Sequence, residues 1–235
     1  MANIVHVAKG DFVELKFTGK INGTTFDSNI AEDLKMADSK LEPRKLNIRI
    51  GERMVVKGLD SALEGKELNV QYNIHIPFKE GFGPRHPSLI KTIPLHVFTA
   101  QKIYPESGMT LALDNSLVQI RAVSGARVIA DFNNPLAGKD LDYSFVIVRK
   151  IEDIAEKARV FFEWFIAAVP ELSVGDSVTI KAQAKLKPLI IAFKDKFKEL
   201  VGKELLFEAV VEEAVRKDAR ESESPAAQDA TQQSL

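Results

Sequence analysis

The chain has 235 residues, 45% of them hydrophobic and 28% charged, with a formal net charge of -1. This balance excludes an intrinsically disordered chain and the strongly basic profile of a nucleic-acid-binding protein, and the length leads us to expect two or three domains. The absence of cysteine excludes disulfides, thiolate nucleophiles and cysteine-ligated metals.

The N-terminal part has the pattern of an antiparallel sheet with one short helix. Apolar and polar residues alternate over 13–17, and Asn22-Gly23 is a favourable hairpin turn before the next strand. Alternation returns over 46–50 and 70–76, and helical spacing over 55–63 ends at Gly65, a favourable residue after a helix.

The middle of the chain has the pattern of a small β unit. Three short runs, Met109–Leu113, Leu117–Val123 and Arg127–Phe132, are separated by Asp-Asn-Ser and Ser-Gly turns. The run LDYSFVIVRKI over 141–151 follows and becomes nearly continuously apolar, which is typical of a central strand. We expect this strand to complete the first sheet.

The C-terminal part predicts the order helix, strand, helix, strand. We expect a helix over 154–169, a strand over 178–186, a helix from Pro188 to Val201 and a strand over 203–214. The remaining residues have few large apolar side chains, so we expect a disordered tail over 217–235.

Three segments of the first part carry a family resemblance. GDFVELKFTGKINGTTFDS, IGERMVVKGLDSALEGKELNV and FKEGFGP stand in this order, and together they resemble the FKBP family of peptidyl-prolyl cis-trans isomerases. Taken singly, each of these residues is more often an ordinary core or turn residue, but the ordered set is far more specific. The resemblance implies a half-open antiparallel sheet that wraps a short helix, with an apolar pocket for a proline-containing peptide between them.

Carried over by position, the resemblance implies a set of site residues. It also shows departures, because the family often has tyrosine where this chain has Phe17 and Phe82, and tryptophan where it has Leu59. We therefore expect a wider pocket with fewer hydroxyl donors. The implied catalytic residues are Phe26, Asp27, Phe82 and Tyr143, and the implied substrate-binding residues are Phe17, Leu46, Met54, Val55, Val56 and Leu59.

The segment after FGP carries a second resemblance. LIKTIPLHVF and GMTLALDNSLVQIRAVSGARVIADFNNPLAG are similar to the insert-in-flap domain of SlyD-like FKBPs, which implies a domain that binds unfolded chains. Apolar contact and edge-strand pairing tolerate many client sequences. The alternative is that half or more of the apolar residues fill the insert's own core. The candidate client contacts are Ile90, Ile93, Leu95, Val97, Phe98, Ile103, Met109 and Leu111.

The C-terminal part resembles the extra domain of long archaeal FKBPs in layout, which implies self-association. Phe161, Phe162, Trp164, Phe165 and Ile166 place apolar side chains on several faces of one helix. Such a helix is covered by a second copy or a client, or it is packed between this domain's sheet and the isomerase domain. Both alternatives remain open. The lysines over 181–198 have the acids Asp195 and Glu199 near them, which favours a solvated face over a specific nucleic-acid site.

These observations predict an α+β protein with four parts. They are an isomerase domain over 1–86 and 135–152, a β-rich insert over 87–134, a C-terminal α+β domain over 153–216 and the tail. We predict an isomerase and folding chaperone that acts on unfolded or proline-containing polypeptides; the alternative is a holdase chaperone with a weak pocket.

No cofactor and no metal site are expected, since His6, His75, His86 and His96 are scattered. No apolar run reaches the roughly 18 residues of a membrane-spanning helix, and the first residues lack the pattern of a signal peptide. We therefore expect a cytoplasmic protein without membrane contact, with a homodimer through the C-terminal domain as a further expectation.

Overall fold

A computed structural model describes residues 5–38, 42–113, 116–167 and 170–210 of the chain. Its strands form three separate sheets, and each sheet has an apolar cluster of its own. The architecture is therefore mixed, with mostly antiparallel sheets and several short helices, as expected for an α+β protein.

The first sheet has five strands and is antiparallel throughout, with the order β2-β1-β9-β4 and β3 paired with β1. The predicted hairpin is confirmed, since Asn22 and Gly23 have φ of 49° and 81°, as a two-residue turn requires. A helix over 31–36 was not predicted. The elements are β1 (Phe12–Ile21), β2 (Thr24–Ser28), α1 (Ala31–Met36), β3 (Leu46–Arg49), α2 (Lys57–Leu63), β4 (Gln71–Ile76) and β9 (Leu141–Ile151).

The insert forms a four-stranded antiparallel sheet in the order β5-β8-β7-β6. The three predicted strands are present, but the prediction missed a fourth strand and the short helix that follows it. The elements are β5 (Ile90–Pro94), α3 (Leu95–Thr99), β6 (Thr110–Leu113), β7 (Ser116–Ser124) and β8 (Arg127–Asp131). The core of this sheet consists of Phe98, Val118, Ile120, Val128 and Ala130.

The C-terminal sheet has three strands, with β10 antiparallel and β12 parallel to β11. The sequence prediction missed β10, and it placed one helix where the chain forms two that meet at Phe193. It also made two elements too long: the strand expected over 178–186 ends at Gln183, before a 3-10 turn, and the helix expected over 154–169 ends at Phe165. The predicted tail over 217–235 and the end of the last strand lie outside the described residues. The elements are α4 (Ile154–Phe165), β10 (Glu171–Val174), β11 (Val178–Gln183), α5 (Lys187–Ala192), α6 (Lys194–Val201) and β12 (Leu205–Val210).

The helix α4 is covered within the chain. Asp153 caps its first turn by accepting a 2.8 Å hydrogen bond from the Glu156 N–H. Phe161 and Phe162 are fully buried, in a cluster that also contains Phe12 of β1. Their rings pack against Phe193 and Phe197 of the C-terminal part. Burial within the chain thus accounts for these two aromatic residues, whereas self-association stays a prediction.

Candidate functional site

The strands β1 and β9 place the rings of Phe17 and Tyr143 on the same face of the first sheet. Gly19 pairs with Tyr143, and Phe17 pairs with Phe145. Opposed residues of antiparallel strands share a face, as do alternate residues of one strand. Phe17 and Tyr143 are therefore diagonal neighbours, with ring centroids 5.9 Å apart, and each is 5% exposed.

A β-bulge on β2 adds a third ring. Gly19 pairs with Asp27, and the next residue of β1 pairs with Thr25, so Phe26 has no partner across the ladder. A bulge re-aims side chains, and bulges are frequent beside active sites. Phe26 meets Tyr143 edge to face, with centroids 5.9 Å apart and an interplanar angle of 89°.

Gly19 makes room for this arrangement. A Cβ atom at Gly19 would lie 2.7 Å from the Phe26 ring and 3.0 Å from the Tyr143 ring, too close for either ring to stay in place. Sequence reasoning missed this residue. The available signal is a glycine inside the strand LKFTG, because glycine within a strand often marks a close approach.

Phe82 completes the aromatic group from the loop after β4. Its ring meets Phe26 edge to face, with centroids 6.2 Å apart. The loop is held at Phe78, whose N–H donates to the Asp140 carboxylate at 2.8 Å and whose carbonyl accepts from the Gly83 N–H at 2.8 Å. Fixed backbone contacts on both sides therefore position Phe82.

The segment from β3 to α2 supplies the aliphatic part of the cluster. Leu46, Val55 and Val56 are partly buried, whereas Met54 is 9% and Leu59 1% exposed. Leu59 and Met54 therefore lie in the core behind the partly exposed residues. The structure brings the predicted apolar site residues into one cluster: Phe17, Phe26, Leu46, Met54, Val55, Val56, Leu59, Phe82 and Tyr143.

Asp27 is a half-buried carboxylate beside these rings. Burial raises the pKa of Asp27, and the Arg44 guanidinium and a hydrogen bond from the Ser28 backbone partly oppose that rise. Burial, with a smaller effect of the Asp27 charge, raises the pKa of the Tyr143 hydroxyl well above its ordinary value. Tyr143 therefore remains a hydrogen-bond donor at every physiological pH.

Two buried polar residues that sequence reasoning missed support the strand that carries Phe17. The Asn29 side chain accepts from the Phe17 N–H and donates to the Leu15 carbonyl, both at 2.8 Å. The Ser28 hydroxyl donates to the Phe17 carbonyl at 3.0 Å. The sequence signal was weak, because Ser and Asn after a strand equally indicate a turn.

The candidate client contacts on the insert divide by exposure. Ile90 and Val97 are 43% and 41% exposed, whereas Phe98 is 2% exposed and fills the core. Phe98 therefore fills the insert's own core, as the alternative interpretation of these residues predicted. The other five candidates are partly buried against that core: Ile93, Leu95, Ile103, Met109 and Leu111.

A groove of about 190 Å³ lies between α3 and the insert sheet. Ile93, Val97 and Phe132 contribute to its lining. Tyr104 and Leu117, which the sequence did not single out, are also exposed, at 73% and 62%. The insert thus presents apolar side chains both in a groove and on its open surface.

Two further features concern metals and membranes. Within residues 5–38, 42–113, 116–167 and 170–210, no group of three or more His, Asp or Glu side chains is placed to hold a metal ion. Among the same residues, no helix has both the length and the apolar character needed to cross a bilayer.

Comparison of the chain with known protein families gives two matches, which together cover residues 5–136. A sequence model described as FKBP-type peptidyl-prolyl cis-trans isomerase matches residues 5–98, and one described as the IF domain of FKBP26 matches residues 91–136. The first match spans β1 to β5 and enters α3, and the second spans most of the insert sheet; the strand β9 follows both.

Two curated relatives are similar to parts of this chain. A short-type peptidyl-prolyl cis-trans isomerase of Methanocaldococcus jannaschii is 27% identical over 151 residues, which cover 63% of this chain and 94% of that protein. The FKBP-type peptidyl-prolyl cis-trans isomerase SlyD of Haemophilus influenzae is 28% identical over 130 residues, which cover 54% of this chain and 68% of that protein.

Proposed function

Since this chain belongs to the FKBP-type peptidyl-prolyl cis-trans isomerases and carries an IF domain, we propose that it rotates X-Pro bonds of unfolded clients in the pocket formed by Phe17, Phe26, Phe82 and Tyr143. Enzymes of this family act on proline-containing polypeptides. The observation that carries this location is the group of aromatic rings around Gly19, with the Asp27 carboxylate at its side.

An apolar aromatic pocket suits this reaction without any nucleophile. The barrier to peptide-bond rotation, about 18–20 kcal/mol, arises from amide resonance. The twisted transition state has lost that resonance and is less polar than either planar isomer. A pocket that holds the proline ring against Phe26 and Tyr143 while the preceding carbonyl rotates therefore binds the transition state better than the ground state.

Tyr143 and Asp27 supply the polar part of the site. Tyr143 carries the one hydroxyl among the apolar residues named above for the pocket, and its raised pKa keeps that hydroxyl a donor for a substrate carbonyl. Asp27 acts through its field on the rotating carbonyl. Its raised pKa indicates a carboxylate whose charge is incompletely solvated, so its field is less screened than it would be in water.

A matched pair of tyrosines tests this assignment. Tyr143→Phe should lower kcat/KM for a short X-Pro peptide by roughly threefold to tenfold, the scale of one hydrogen bond. Tyr72→Phe removes a hydroxyl that accepts from the Glu67 N–H in the same core, and it should leave turnover unchanged. Equal turnover in both variants would show that the Tyr143 hydroxyl has no part in the mechanism.

The insert is proposed to capture clients and deliver their prolines. Its support is the exposed apolar surface at Ile90 and Val97 and the groove beside them. Deletion of residues 87–134 with a short bridge should leave peptide turnover intact and lower the acceleration of a proline-limited refolding reaction, which takes tens to hundreds of seconds uncatalysed. An equal loss of activity on the short peptide and on the refolding protein would contradict the proposed role of the insert in client capture.

The alternative function is a holdase chaperone with a weak pocket. Phenylalanine at positions 17 and 82 favours it because the pocket then offers few hydroxyl donors, and leucine at 59 favours it because the pocket is then wider. A refolding protein and its proline-free variant distinguish the two. Acceleration of the proline-containing protein alone supports catalysis, whereas suppressed aggregation of both without acceleration supports the holdase.

A further inference from the structure

The open edge of β3 is held by the C-terminal domain. In the first sheet β3 pairs with β1 and with no other strand of the described residues. Trp164 on α4 donates its indole N–H to the Asn47 carbonyl of β3 at 2.8 Å. The neighbouring residue on that strand is Leu46, one of the proposed pocket residues.

The loop over 51–56 is held from the same side. One carboxylate oxygen of Glu52 accepts from Arg49 at 2.7 Å, and the other is paired with the Lys196 ammonium of α6 at 3.0 Å. The hydrogen bond to Glu52 raises the pKa of Lys196. Met54 and Val55 follow two and three residues after Glu52 in the chain, so this ion pair holds the loop that carries the aliphatic side of the pocket.

The inner side of this loop is fixed by the isomerase domain itself. The buried Asp60 carboxylate accepts from the Gly51 and Arg53 N–H groups at 2.8 and 3.0 Å. Met54 Sδ accepts from the Arg49 N–H at 3.2 Å. The isomerase domain thus fixes this loop at several points, and Lys196 of the C-terminal domain adds a contact from outside that domain, at Glu52.

Apolar contacts also join the C-terminal domain to the isomerase domain. Phe165, one helical position after Trp164, packs against both the isomerase cluster and the C-terminal cluster. Phe12 and Ile151, which belong to strands of the first sheet, are buried in the C-terminal cluster. The contacts of Trp164 and Lys196 are therefore made by elements that are already rigidly docked.

We propose that the C-terminal domain positions one wall of the proline pocket, with Trp164 and Lys196 as the positioning residues that hold β3 and the 51–56 loop. This inference rests on the proposed location of the pocket. Neither residue touches the substrate; each acts through Leu46, Val55 and Val56. Misplacement of a positioned group by a small distance is costly in catalysis, so a loose wall weakens binding of the proline ring.

Substitutions in the full-length chain test the inference. Lys196→Met and Trp164→Phe should each lower kcat/KM for a short X-Pro peptide by roughly twofold to fivefold, the scale of a partly exposed ion pair or a single hydrogen bond. The change should be in KM, since the wall contacts the ground state and the transition state alike. Lys196→Arg should restore KM, because a guanidinium also pairs with Glu52.

Lys198→Met is the matched control. Lys198 forms its ion pair with Glu204 inside the C-terminal domain, so its loss should leave KM unchanged. A KM for Lys196→Met and Trp164→Phe equal to that of the control would overturn the inference. Tyr143→Phe and Asp27→Asn are measured beside them. If these two variants lower turnover while the positioning variants do not, the positioning role is wrong and the proposed pocket stands. If no variant has an effect, the proposed pocket itself is wrong.

Discussion

The insert and the C-terminal domain are attached to the isomerase domain in physically different ways. The apolar cluster of the insert consists of insert residues alone within the described chain. The C-terminal cluster includes Phe12 and Ile151 of the isomerase strands and shares Phe165 with the isomerase core. A shared apolar core makes two domains one cooperative unit, whereas separate cores allow one to unfold or move without the other.

Polar contacts join the insert where the chain crosses into it and returns. The Asn133 side chain accepts from the His86 N–H at 2.8 Å and donates to the His86 carbonyl at 3.1 Å. The buried Asp131 carboxylate pairs with Arg85 and Arg121. Such contacts define an orientation without burying much apolar surface, which is compatible with the proposed delivery of clients to the pocket.

The largest effect is expected at the shared core. Phe12→Ala should lower the free energy of unfolding by about 3–5 kcal/mol, because the buried ring leaves a cavity. The loss should appear in one transition, since Phe12 belongs to a strand of one domain and to the core of the other. Urea unfolding followed by far-UV circular dichroism and by fluorescence of Trp164, the one tryptophan of the chain, measures this.

Phe98→Ala in the insert is the matched comparison. Phe98 is as deeply buried as Phe12, at 2% exposure each, so the local cost is similar. The midpoint reported by Trp164 should stay in place, because the insert core is separate. If Phe98→Ala shifts the unfolding midpoint reported by Trp164, the insert core is not separate. If Phe12→Ala leaves that midpoint unchanged, the C-terminal core is not shared with the isomerase domain.

An intermediate effect is expected at the crossing into the insert. Asp131→Ala removes a 2% exposed carboxylate and leaves buried donors of Asn133 without their acceptor. A loss of about 1–3 kcal/mol in insert stability is expected on the scale of unsatisfied buried groups. Proteolysis of the insert should become faster, while peptide turnover stays unchanged. Asp131→Asn, which retains an acceptor oxygen, should lose less; reduced peptide turnover would show that the crossing also supports the pocket.

The sequence predicted much of the first sheet, because its strands alternate clearly and Asn22-Gly23 fixes the hairpin. It missed α3, a five-residue helix too short for periodicity to mark, and β10, whose four residues are equally brief. It placed one helix where α5 and α6 meet at Phe193, with φ -96° and ψ 0°. That break has neither glycine nor proline at the junction, so only tertiary packing specifies it.

Family resemblance assembled the candidate site, but packing decided how each residue contributes. No local pattern distinguishes Leu59, which is 1% exposed, from the half-buried Val55 and Val56. The room that Gly19 gives to two rings depends on the pairing of three strands. The support from Trp164 and Lys196 joins residues more than a hundred positions apart, and a single sequence contains no signal for such a contact.

The smallest effect is expected at the ion pair between β9 and α4. Hydrogen bonds from Arg149, which also pairs with Glu14, lower the pKa of Glu156 below its ordinary value of 4.5. A lowered folded-state pKa contributes stability that is present above the unfolded-state pKa and is lost as pH falls through the folded value. Glu156→Gln should therefore lower the free energy of unfolding at pH 7 by at most about 1 kcal/mol, since the pair is partly exposed.

The difference between wild type and Glu156→Gln should shrink as pH falls below 4.5, and the exposed Glu163 on the same helix supplies the control substitution Glu163→Gln. Unfolding followed by Trp164 fluorescence at pH 7 and near pH 3 measures this difference in the free energy of unfolding. A loss as large as that of Phe12→Ala would mean that charge, and not the shared apolar core, joins the C-terminal domain to the isomerase domain. A small, pH-dependent loss leaves the apolar core as the cause of that attachment, and hence of the rigidity that lets Trp164 and Lys196 position the pocket wall.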